Sequence, residues 1–109
     1  MKQQANTLIV FFNLKDDVNE SEYLSWAKNT DLPTVNKLNS VNSFEVFKGI
    51  SIFGDQKESP WDYFEVFKVH SEDTFLTEIQ TDVMSKVVEQ FQVFAKDATF
   101  ISTQDITTL

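Results

Sequence analysis

The chain has 109 residues, 41% of them hydrophobic, with eleven Phe against two Gly and two Pro; this suits one folded domain over residues 1–109, not a disordered tail. Nine basic and seventeen acidic residues leave a net charge of −8, which argues against nucleic acid and anionic membrane as partners. Cysteine is absent, which excludes disulfides and thiolate metal sites, Met1–Asn6 lacks a signal-peptide pattern, and no apolar run nears the roughly 20 residues of a membrane span, so a cytoplasmic protein is expected.

Thr7 to Leu14 reads as a central strand. Leu8, Val10, Phe12 and Leu14 form a wholly apolar parity that should lie under helices, and Thr7, Ile9, Phe11 and Asn13 form a mixed one. Lys15 to Asp17 make a turn. Asn19 with Glu22 fits a capping box, and Val18 with Tyr23 a hydrophobic staple, so a helix follows with Tyr23, Leu24, Trp26 and Ala27 as its stripe. Pro33 disfavours a helical Leu32, which predicts a stop near Thr30 and a second short helical turn over residues 31–38.

Val41 opens a second strand that runs to about Ile50, and a third runs from about Trp61 to Val69. Ser71 caps the next helix, with His70 and Phe75 as its staple. Phe75, Ile79, Val83, Val87, Phe91 and Phe94 recur in steps of four. That pattern drifts by roughly 40° per step on a straight helix, so a break is predicted near Gln80-Thr81-Asp82. Ala98 to Thr103 makes a last strand, and Gln104 to Leu109 a tail or arm.

The order strand, helix, strand, strand, helix, strand is the α+β ferredoxin-like βαββαβ pattern, a four-stranded antiparallel sheet with helices on one face. The uncovered face, expected to carry Ile9, Phe11, Phe47, Trp61, Tyr63, Phe67 and Val69, is too apolar for water. An identical sheet from a second copy is the simplest cover, giving a two-fold homodimer with a chamber between the sheets.

One motif occurs twice. Phe44-Glu45-Val46-Phe47-Lys48 returns as Phe64-Glu65-Val66-Phe67-Lys68, separated by a hairpin loop from Ile50 to Pro60. Antiparallel pairing of the copies is expected to put Glu45 and Glu65 on one face, with Phe47, Trp61, Tyr63 and Phe67, as the floor of a pocket. Opposed carboxylates would raise one pKa and supply a general acid or base. Two alternatives stand beside this: a register that sets Glu45 against Tyr63, or a parity that turns under the helices, a place Phe64 and Val66 would fill better.

The pieces Asp31-Leu32-Pro33-Thr34-Val35, Leu38, Ser40-Val41, Phe44-Glu45-Val46, Gly54 and Pro60-Trp61-Asp62-Tyr63-Phe64-Glu65-Val66 resemble the RedY-like or HapK-like family. The resemblance covers most of the chain, from Thr7 to the last strand. It implies the dimeric α/β barrel and a place in prodiginine (tripyrrole pigment) or related secondary metabolism. Members have been viewed both as accessory proteins and as cofactor-independent cyclisation enzymes. Many dimeric barrels also carry His-x-Pro where this chain has Asp31-Leu32-Pro33, so a mechanism needing that His does not transfer, although a carboxylate there could do related work.

The candidate catalytic residues are therefore Asp31, Glu65 and, as partner, Glu45. Asn13, Trp61, Tyr63, Phe11 and Phe47 are candidate contacts for an aromatic or pyrrole-like small molecule, through carbonyl orientation and ring stacking. The plainer readings are an N-cap for Asp31, dimer anchors for Trp61 and Tyr63, and a strand-end hydrogen bond for Asn13. His70, the single histidine, reads as a helix staple. No metal site is expected, and with no phosphate loop, nucleophile elbow or dinucleotide fingerprint, no cofactor. Two functions stand: a small-molecule protein of pigment biosynthesis, with cyclisation as its chemistry, or an accessory protein for a pathway enzyme.

Overall fold

A computed structural model describes residues 5–107. The signal-peptide reading of Met1–Gln4 and the end of the tail, Thr108 and Leu109, lie outside those residues. Strands β1 (Thr7–Leu14), β2 (Val41–Lys48), β3 (Tyr63–Val69) and β4 (Ala95–Thr103) form an antiparallel sheet in the order β2-β3-β1-β4. Helices α1 (Glu20–Trp26), α2 (Leu32–Asn36), α3 (Glu72–Glu78) and α4 (Asp82–Phe94) complete the ferredoxin-like α+β architecture.

The parity of β1 falls as its residues dictate. Val10 and Phe12 are fully buried, and Tyr23, Phe91 and Tyr63 pack their rings against Phe12. Asn19 caps α1 by accepting a 2.9 Å bond from the Ser21 amide, and Ser71 caps α3 by accepting from the Thr74 amide. The expected break before α4 is present, with Thr81 at the cap position and its hydroxyl donating back to the Glu78 carbonyl. Past that break one position differs: Met84 is buried, and Val83, expected in the stripe, is exposed. The rest of the expected stripe holds through the break: Val87 is buried, and Phe91 and Phe94 are half-buried against the core.

The predicted stop near Thr30 is replaced by a π-helical turn. Residues Ala27–Asp31 join α1 to α2 without leaving the helical path, and the Leu32 amide reaches back to the Ala27 carbonyl. Pro33 has no amide to donate and its ring crowds the preceding turn; a widened turn just ahead of it relieves that conflict without ending the helix. The same widening leaves Asp31 turned inward and buried.

Strand β4 starts at Ala95, directly after α4, three residues earlier than predicted. It carries a bulge opposite Phe11 to Asn13, where Asp97 takes a left-handed φ of 58°. Asp tolerates that region better than most residues. Edge strand β2 is covered by Asn36 of α2, whose amide bonds both the Phe44 amide and the Phe44 carbonyl.

The two copies of the repeated motif pair with an offset of one. Glu45 stands opposite Val66, and Glu65 opposite Val46 and Val10. The copies therefore present opposite sides: Phe44 and Val46 point under the helices in β2, Glu65 and Phe67 in β3. The expectation that Glu45 and Glu65 share a face is corrected. Glu45 lies exposed on the open face and Glu65 is 3% exposed beneath the helices.

Candidate functional site

A cavity of about 590 Å³ lies between the helices and the sheet. Its walls are apolar, among them Leu8, Val35, Phe67, Phe75, Met84, Val87 and Phe91, with Asp31 and Glu65 at its polar end. Leu76, Val88 and Phe100, each partly exposed, stand at the mouth, with Glu72 and Ser102 bonded to each other across it. That volume suits a small organic molecule.

Asp31 is 4% exposed, and its Oδ2 has no hydrogen-bond partner in the protein. Burial pushes its carboxyl up to about 7. Burial, and then the Asp31 charge, hold the Glu65 carboxyl well above the ordinary carboxylate range. Two acids placed so cannot both ionise cheaply, so the pair holds a proton more tightly than an exposed carboxyl would. Such a pair can donate and accept in turn.

Tyr23 belongs beside this pair, although nothing in the sequence marks it as more than a helix stripe. Its hydroxyl is buried without a partner, and burial followed by the charges of Glu65 and Asp31 drives its titration upward. The legible signals differed: Glu65 is an acid in an aromatic and β-branched strand, whereas Asp31 lies in a polar stretch and was marked by the resemblance at the His-x-Pro position. The cavity walls from α3, α4 and β4 gave no sign beyond their apolar pattern.

The remaining candidates lie elsewhere. Phe11 and Trp61 touch on the open face, ring centroids 4.7 Å apart, and Phe47 lies exposed on that face. Tyr63, Phe67 and Val69, expected there, are buried under the helices, because β3 turns its odd-numbered residues inward. Tyr63 is not an exposed ring platform. It packs on Phe12 and Tyr23, and its hydroxyl donates to Glu20 Oε2 at 2.6 Å, an acceptor also paired with Lys48. Asn13 joins strand ends: its Oδ1 accepts from the Asp62 amide, while Asp62 accepts from the Leu14 amide, both at 2.9 Å. Asp31 is buried in the π turn and its side chain makes no cap bond to α2. Within one chain the chamber that holds two of the expected carboxyls lies between sheet and helices. Among the described residues no cluster of three or more His or acidic side chains is arranged to hold a metal ion, and no helix is long and apolar enough to cross a membrane.

Sheet, helices and cavity define a class first: a ferredoxin-like α+β protein with an apolar chamber closed at one end by two carboxyls. The chain belongs to the family described as REDY-like protein HapK, whose model matches residues 6–106. The fold is similar to the crystal structure of HapK from Hahella chejuensis, with 22% identity, a TM-score of 0.72, and coverage of 92% of this chain and 93% of that one. It is also similar to At3g17210 from Arabidopsis thaliana, at 14% identity and a TM-score of 0.75 over 91% of this chain and 93% of that one. A third likeness is a dimeric protein of unknown function with a ferredoxin-like fold from Bacteroides fragilis, at 14% identity and a TM-score of 0.66, covering 95% of this chain and 99% of that one. No curated protein sequence matches.

Proposed function

We propose that the chain acts as one domain of a cytoplasmic homodimer in prodiginine-type or related secondary metabolism. In this reading it folds or cyclises a pyrrole-like intermediate by acid–base chemistry without a cofactor. Asp31 takes and returns the proton, Glu65 serves as the protonated partner, and the apolar walls hold the ring system. The observation that carries this reading is the buried carboxyl pair, Asp31 and Glu65, lining an otherwise apolar cavity. Family membership supports the pathway, and the dimeric Bacteroides fragilis neighbour supports the assembly. So does the open sheet face, where Ile9, Phe47 and Ile101 are exposed.

The test is turnover of pigment-pathway intermediates by the wild type, Asp31→Asn and Glu65→Gln. Loss of product in both variants, with folding retained, is the expected result; unchanged product profiles remove the acid–base role. The accessory reading is favoured by a different feature, the β2–β3 loop, whose Phe53 is fully exposed at its tip. Under that reading the chain captures a pathway enzyme through the loop, and removing the Phe53 side chain abolishes capture while leaving the cavity intact.

A further inference from the structure

The cavity's charge pattern says more about its occupant than its size does. Its titratable lining is acidic: Asp31 from the π turn, Glu65 from β3 and Glu72 from α3, with Tyr23 of α1 behind the first two. Neither α4 nor β4 contributes a charged residue to the wall, and among the described residues no Lys, Arg or His faces the space. At the mouth, Glu72 already accepts the Ser102 hydroxyl. At the closed end, Asp31 Oδ2 accepts nothing, although it is buried. Asp31 and Glu65 both line the space, and a donor brought against a buried carboxyl is worth more than one in water. An anion entering the same space would meet the carboxyls across a medium of low dielectric, with no cation to offset them.

We propose that this cavity selects an apolar, N–H-bearing molecule, an aromatic amine, amidine or protonated ring nitrogen, which sets its N–H groups against Asp31 and Glu65, and that it rejects carboxylate ligands of the same shape. The inference rests on the reading of the cavity as the ligand site and adds the chemical class of what enters. A cation stabilises the ionised form of the carboxyl it meets, so its binding releases a proton and its affinity rises with pH through the range where Asp31 ionises.

Three isosteric planar probes separate the possibilities: benzamidine, benzamide and benzoate, titrated into the whole protein and followed by amide NMR shifts of Leu8, Phe67 and Met84. At about pH 8 benzamidine is expected to bind at least about tenfold more tightly than benzoate, with benzamide between them. The preference should shrink severalfold at about pH 5.5 in the wild type, and at about pH 8 in the Asp31→Asn/Glu65→Gln variant. Benzoate binding as well as benzamidine, or a preference untouched by both the pH change and the variant, overturns the charge selection while leaving a ligand cavity in place. Failure of all three probes to shift cavity amides overturns the cavity reading itself. The wild-type pH arm needs no substitution, so a variant that fails to fold does not blunt the test.

Discussion

The two faces of the sheet are both rich in Phe, yet they are built for different ends. Under the helices, Val10, Phe12, Phe44 and Phe67 pack into a core that stops short of closing, leaving a space with two acids at its end. On the open side, Ile9, Phe11, Phe47, Phe64 and Ile101 lie flat, with Glu45 as the carboxylate among them. One face hides polar groups within apolar walls; the other shows apolar groups to the outside. A carboxyl on the first face is forced to hold its proton. One on the second, Glu45, stands in water. The same motif supplies both, so chemistry is assigned here by face and not by residue type.

The sharpest way to break this contrast is to change one carboxyl on each face. Asp31→Asn or Glu65→Gln should lower turnover of the proposed substrate by about 10²–10⁴-fold, the usual contribution of a positioned acid or base, whereas Glu45→Gln should leave it within about twofold. Steady-state rates of the three variants decide it, and a Glu45→Gln loss equal to that of Glu65→Gln would return the chemistry to the open face.

The second prediction concerns the open face alone. Ile9 sits at its centre on β1, opposed by Val66 and Ile101. Ile9→Asp places a charge where a second sheet is proposed to dock, and should raise the dimer dissociation constant by at least about 10²-fold. Sedimentation should then show half the mass with an unchanged far-ultraviolet spectrum. A wild type that already sediments as a monomer at micromolar concentration sinks the dimer.

The third sets the buried acid against water. The Asp31 carboxyl binds its proton more tightly folded than unfolded, because burial penalises the charged form. Its stabilising contribution is therefore fully present below the model value of 3.8 and is lost as pH rises through about 7, with Glu65 extending the loss upward. Asp31→Asn removes part of that slope, and at about pH 8 should stabilise the fold by about 2 kcal/mol relative to wild type. Urea midpoints at about pH 5 and pH 8 test the sign: the variant's advantage should be larger at the higher pH.

The smallest effect lies far from both acids. Asp97, in the β4 bulge, holds a φ of 58° that glycine adopts freely. Asp97→Gly should change stability by no more than about 1 kcal/mol, in the stabilising direction, and leave probe binding unaltered. Thermal melts and the benzamidine titration report the two readouts.

Much of this was legible before the fold was known. The alternation in Thr7–Leu14, the caps at Asn19 and Ser71, and the interrupted stripe after Phe75 define elements through local rules of period and capping. Glu65 stood out as an acid in apolar company, and Asp31 through the resemblance, at the place before Leu32-Pro33. What misled was the repeat: identical letters at 44–48 and 64–68 invited identical faces. Which face each copy turns inward depends on the pairing offset, and a one-residue change of offset reverses it. Tyr63 changed from expected ring platform to core by that same offset. Pro33 misled differently, because a widened turn absorbed the clash that ordinarily ends a helix.

The sequence by itself determined the order of elements, the α+β class and the presence of one acid in each aromatic repeat, since period, caps and composition act over neighbouring residues. Only the tertiary structure decided that Asp31 and Glu65 meet while Glu45 does not. Bringing residues 31 and 65 to one cavity takes a strand offset set by the hairpin and a π turn set by Pro33. Both are outcomes of long-range packing, and no stretch of chain encodes them alone.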